Sequence, residues 1–266
     1  MQEIYNTHGT GTTRNELVLF LLDGSGSMRQ PANESMTNGP SKSEALDEIV
    51  KGVLKRISES QSVNMFRVGY IRFANEAIVE QKNSENYFTV NEAIKLLKPS
   101  TYGFEENEGT DIANAFEMAI EIANEFNVDE DMAQTKECTL ILLTDGNHFE
   151  HETDENKQID ELQRFTNAAE AFKAIGITPN VACVSLGSDA DIVTLVGISS
   201  LPNLDQQKRF EKSTTSEGNL LNLLKRDNGG QFRLCLEGHR HNNIGAHEIE
   251  TIRRFLIIGT RTLTTS

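Results

Sequence analysis

Basic residues are in short supply in this chain: 25 Lys and Arg stand against 40 Asp and Glu, a formal net charge of −15. Proteins that grip a phosphate backbone need a basic surface, so the deficit argues against a nucleic-acid partner. A basic partner, or one bridged by a cation, fits better. Long hydrophobic runs are also missing. No stretch of 18 apolar residues occurs, so no membrane-spanning helix is expected. The opening residues Met1 to Asn6 lack the basic and apolar regions of a secretory signal, and a location in the cytoplasm is expected. Cysteine is scarce and odd in number. Cys138, Cys183 and Cys235 lie far apart in or beside strand-like segments, which suits buried free thiols in a reducing compartment better than a disulfide framework. No internal repeat or low-complexity segment stands out. The 266 residues suffice for one large α/β domain with a substantial core.

What the chain does contain is a run of six apolar residues, Leu17 to Leu22, emptying into Asp23-Gly24-Ser25-Gly26-Ser27-Met28. A run this short reads as a strand buried on both faces, as in a parallel sheet. The loop then lies at the strand's C-terminal end, where open α/β sheets place their ligands. Asp23, Ser25 and Ser27 offer a carboxylate and two hydroxyls at alternate positions, and the glycines let the backbone fold tightly. An all-oxygen donor set suits Mg²⁺, Mn²⁺ or Ca²⁺ rather than zinc.

A second segment repeats this grammar. Cys138 to Thr144 is strand-like and runs into Asp145-Gly146, while Gly109-Thr110-Asp111 opens a helical pattern in between, with Thr110 placed to start it. Taken singly, these are an ordinary turn, an ordinary strand end and an ordinary helix cap. Together, Asp23-x-Ser25-x-Ser27, Thr110 and Asp145 resemble, in order and approximate spacing, the metal-ion-dependent adhesion site of von Willebrand factor type A domains. Asp111 reads as a helix-start residue favourably placed against the helix dipole and is left out of the site.

The rest of the chain alternates strand and helix. Residues 1–14 are polar and read as a flexible arm; His8 to Thr13 has a faint dinucleotide-loop look, but it precedes a strand and lacks the last glycine. Arg29 to Ser43 is a longer loop than a βα connection needs. Leu46, Ile49, Val50, Val53, Leu54 and Ile57 form one helical face, Phe66 to Phe73 a strand, and Glu76 to Gln81 a short antiparallel edge. Thr89 to Glu92 has capping-box form ahead of a short helix to Leu97, and Ile112 to Phe126 carries another apolar stripe. Ile159 to Ile175 marks a long helix ended by Gly176, Asn180 to Leu186 a buried strand, Gly187-Ser188-Asp189 the start of a short helix, Phe232 to Leu236 a last strand, and His247 to Leu263 a terminal helix. Residues 199–219 read as an exposed connection. His148 and His151 are spaced for zinc but have no cysteine or third histidine nearby, and a solvated acidic rim is the better reading of 147–155. His239, His241 and His247 read as surface residues.

The expected fold is a doubly wound α/β domain over residues 15–266, with helices on both faces. The resemblance implies a mostly parallel six-stranded sheet, ordered 3-2-1-4-5-6, with one antiparallel edge strand. It also implies that Ser25 and Ser27 bind the ion directly, Asp23 and Asp145 mostly through water, and Thr110 directly when the site is engaged. A partner's Asp or Glu would take the open position. Within the family the chain looks most like bacterial intracellular, tellurite-resistance-type proteins. Their association with kinases, phosphatases or MoxR-type ATPases is carried as an implication. Two other functions compete with this non-enzymatic adaptor. One is metal-dependent phosphoester hydrolysis or phosphotransfer, for which Ser25 stands where a second aspartate would be wanted. The other is a structural subunit that does not use the metal.

Overall fold

The computed structural model describes residues 14–32, 39–106, 108–129, 135–145, 164, 167–168, 171–172, 174–177, 179–186 and 233–235. In chain order these form β1 (Arg14–Asp23), α1 (Lys42–Ser58), β2 (Phe66–Phe73), β3 (Ala77–Val79), β4 (Phe88–Thr89), α2 (Val90–Leu96), α3 (Ile112–Val128), β5 (Thr135–Thr144), β6 (Asn180–Ser185) and β7 (Arg233–Cys235). Arg164, Asn167, Ala168, Ala171, Phe172 and Ala174 are helical, and Gly176 follows at φ +79°, the left-handed conformation of a helix C-terminus. The expected helix at 187–189, the connection at 199–219, the terminal helix from His247 and all six histidines lie outside the described residues, as do residues 1–13 of the arm.

Seven strands form one sheet, ordered β3-β2-β1-β5-β6-β7, with β4 also paired to β2. The pairs β1–β2, β1–β5, β5–β6 and β6–β7 are parallel, whereas β3 and β4 run antiparallel to β2. The sequence predicts six strands; the seventh is β4, whose two residues are too few for a period-2 pattern to show. Its Thr89 also caps α2 in the expected capping box with Glu92.

The apolar run of β1 supplies both layers of the core because successive side chains point to opposite faces. Leu17, Leu19 and Leu21 pack with Phe116, Ala119 and Ala123 of α3 on one face. Val18, Phe20 and Leu22 pack with Leu46, Ile49, Val50 and Leu54 of α1 on the other. Helix α1 begins at Lys42, four residues before the first apolar residue of its stripe, since Ser41 and Glu44 close a capping box there. Among the described residues, no helix is long and apolar enough to cross a membrane.

Because β1 is flanked by β2 on one side and β5 on the other, the chain reverses its direction of winding between β1 and β5. A crevice opens at the C-terminal ends of strands at such a point. Their register pairs Leu22 with Leu143, so the residues that follow, Asp23 on β1 and Thr144-Asp145 on β5, leave the sheet side by side.

Leu19 has no exposed surface and touches the α3 layer. Leu19→Ala is expected to lower unfolding stability by about 2–5 kcal/mol in a urea titration, against less than about 0.5 kcal/mol for Ile94→Ala, an exposed position.

Candidate metal centre

The loop after β1 is folded tightly by its own backbone and by two neighbours. Gly24 N–H donates to the Phe73 carbonyl at 2.7 Å, and Gly26 N–H to the Glu108 carbonyl at 3.0 Å. A Cβ on Gly24 would collide with the Phe104 ring and the Ser100 carbonyl, and one on Gly26 with the Glu106 carbonyl. Both glycines are therefore required by close approach. This packing aims the polar side chains inward. Asp23 Oδ1 accepts from Ser25 N–H at 2.8 Å and Oδ2 accepts from the Thr144 hydroxyl, while the Ser25 and Ser27 hydroxyls meet at 3.1 Å.

Asp145 enters from the end of β5 and is fully buried. Its Oδ2 accepts from Lys42 Nζ at 3.0 Å, and its Oδ1 is buried with no hydrogen-bond partner among the described residues. Thr110 lies half-buried on the loop whose Glu108 carbonyl holds Gly26. That loop is pinned on either side of Thr110: Gly109 N–H donates to Asn75 Oδ1 at 3.0 Å and Asp111 N–H to the Ala74 carbonyl at 2.7 Å. The structure thus brings Asp23, Ser25, Ser27 and Asp145 to one sheet edge, with Thr110 on the adjoining loop.

Two details differ from the sequence reading. The residue that caps α3 is Asp111, not Thr110; its Oδ1 accepts from Asn114 N–H at 2.9 Å. Asp111 also pairs with Arg164 at 2.9 Å. Lys42 and Thr144 were not singled out by sequence, yet both touch the candidate aspartates. Thr144 could have been found from register, because it falls opposite Asp23 once Leu22 and Leu143 are paired. His148, His151 and the acidic segment 147–155 lie outside the described residues, as do residues 33–38 of the loop after β1.

Residues 18–148 match the von Willebrand factor type A domain family. This stretch is similar to von Willebrand factor type A domains. Such domains commonly mediate protein–protein interactions. No curated protein matches the sequence. Among solved structures, the chain is similar to the PilB minor pilin of Streptococcus sanguinis at 14% identity and a TM-score of 0.57, over 95% of this chain and 62% of the pilin. It spans less than two thirds of that protein's length. Weaker likenesses include a von Willebrand factor type A protein from Catenulispora acidiphila (20% identity, TM-score 0.44, 75% of this chain and 42% of that one). Another is an aerotolerance-related membrane protein from Bacteroides fragilis (21% identity, TM-score 0.41, 65% and 68%).

The electrostatics of the candidate site are those of a centre short of positive charge. Burial first, and the neighbouring Asp145 carboxylate second, push Asp23 up to about 6, against the lowering effect of its bonds from Thr144 and Ser25. The donor chemistry fits a hard divalent ion: Asp145 Oδ1 has no hydrogen-bond partner among the described residues, the Ser25 and Ser27 hydroxyls are adjacent, and all are hard oxygens. Among the described residues no group of three or more His, Cys, Asp and Glu side chains is placed to hold a metal ion.

A carboxyl raised above its ordinary 3.8 holds its proton more tightly when folded. Its contribution to stability is therefore full below about pH 4 and lost as pH rises through about 6. In EDTA at pH 8, Asp23→Asn is expected to melt above wild type by about 2–4 °C, and the gap should close toward pH 4. Thermal melts across that range check the sign; a variant that melts lower at pH 8 and gains on acidification would contradict it.

Proposed function

We propose that this chain is a divalent-cation-dependent protein-interaction module, an intracellular adaptor that recognises a partner's Asp or Glu through an ion held by Asp23, Ser25, Ser27, Thr110 and Asp145. The observation that carries the reading is the buried Asp145 Oδ1, left without a hydrogen bond beside a second buried carboxylate. Leaving such a group unsatisfied costs about 1–3 kcal/mol or more, so a fold that maintains it is prepared for a cation. Mg²⁺, or Mn²⁺ or Ca²⁺, would supply a positive charge with an open coordination position for the external carboxylate.

Within this reading each residue has a task set by its surroundings. Ser25 and Ser27 present neutral oxygens, so an ion bound there keeps much of its charge. Asp23 is fixed by Ser25 and Thr144 at both oxygens and acts as an oriented acceptor at the back of the site. Thr110 stands on a loop clamped to Asn75 and Ala74, two residues after the Glu108 carbonyl that holds Gly26. A cytoplasmic setting agrees with the buried free thiols Cys138 and Cys183, both pushed up by burial and so held as inert thiols. The partner class drawn from the tellurite-resistance-type resemblance is a kinase, a phosphatase or a MoxR-type ATPase.

Saturating Mg²⁺ or Mn²⁺ at about 100 times its Kd should stabilise the native protein by about 2.7 kcal/mol, read as a rise in Tm, and Asp23→Ala should abolish the rise. An equal rise in both proteins would mean nonspecific binding to the acidic surface and would sink the reading. Phosphoester turnover with Mg²⁺ that disappears in Asp23→Ala would instead favour the enzyme alternative.

A further inference from the structure

We propose that Lys42 is a built-in counter-charge of the proposed metal centre, a positioning residue that holds Asp145 and weakens capture of the divalent ion. The inference deepens the metal-centre reading given above and rests on it. Its observation is separate: an ammonium, buried with the aspartate it touches, whose Nζ lies 3.0 Å from Asp145 Oδ2.

The position of Lys42 makes no sense as helix chemistry. It is the first residue of α1, directly after the Ser41 cap, where the positive end of the helix dipole disfavours a cation. Lysine is also among the residues least often fully buried unless paired. Both costs are accepted at a place the fold fixes firmly. Lys42 N–H donates to the Gln30 carbonyl at 2.9 Å, the Ser43 hydroxyl meets the buried Ser100 hydroxyl at 2.9 Å, and the Ser41–Glu44 capping box closes the turn. Ser100 in turn backs Gly24 of the candidate site. The start of α1 and the metal loop are thus one rigid unit, and the ammonium is delivered to Asp145 by it.

Electrostatics gives the consequence. The Lys42 ammonium sits against Asp145, one of the carboxylates proposed to hold the ion. Repulsion between ammonium and ion lowers metal affinity. Only one oxygen of Asp145 is engaged by Lys42, so Oδ1 stays available to an ion or to its water.

The test is titration calorimetry with MnCl2 on the full chain as wild type, Lys42→Met and Lys42→Gln, with melts in EDTA and in Mn²⁺. Met removes charge and hydrogen bond; Gln removes the charge and can keep a donor. Both variants are expected to bind Mn²⁺ at least about tenfold tighter than wild type and to gain more in Tm when Mn²⁺ replaces EDTA. Tight binding by the variants with none by wild type supports the proposal equally. If Gln matches wild type and only Met binds tighter, the charge is not the agent and the proposal fails. Equal or weaker affinity in both variants overturns the role of Lys42 and leaves the metal centre standing, whereas no saturable Mn²⁺ uptake by any of the three proteins overturns both.

Discussion

Parallel pairing of β1 with β5 forces Asp23 and Asp145 out of the sheet next to one another at its C-terminal edge, and burial removes the water that would separate their charges. Most of the local architecture answers that repulsion. Ser25 N–H and the Thr144 hydroxyl occupy the oxygens of Asp23, and the Lys42 ammonium occupies one oxygen of Asp145. One oxygen is left over. The proposed binding function starts from that remainder, since a polar atom buried unpaired marks a place where the fold is incomplete alone.

The scaffold around this pair is stiff for ordinary reasons. The alternating apolar run of β1 is buried on both faces, so its register cannot slip by one residue without turning both cores inside out. Gly24 and Gly26 have no room for a side chain against Phe104, Ser100 and Glu106, which locks the loop to the segments that carry Thr110 and face α1. Precision at the site is inherited from these contacts rather than from the site's own hydrogen bonds.

Much of this was legible in the sequence, because periodicity and short-range chemistry encode it. The buried strand at Leu17–Leu22, the stripes of α1 and α3, the Thr89 capping box and the hairpin-range edge strand all follow from local patterns. What escaped needed register or three-dimensional neighbours. Two-residue β4 has no pattern of its own, and Asp111 took the cap from Thr110 by a one-residue shift that only the backbone of the turn decides. Thr144 becomes visible once strands are paired residue by residue. Lys42 sat in what read as an irregular loop; its signal was the Ser41-x-x-Glu44 box, which starts the helix at a lysine, the wrong charge for that end. A residue that breaks a local rule in this way is worth tracing to its partner.

The central claim is that the two strand ends and the loop after β1 hold a divalent ion, and its location can be observed directly. Crystals grown in MnCl2 should give one strong anomalous peak bounded by the Ser25 and Ser27 hydroxyls and the free oxygen of Asp145. Absence of a peak there, or Mn²⁺ found only on exposed carboxylates elsewhere, would contradict the account.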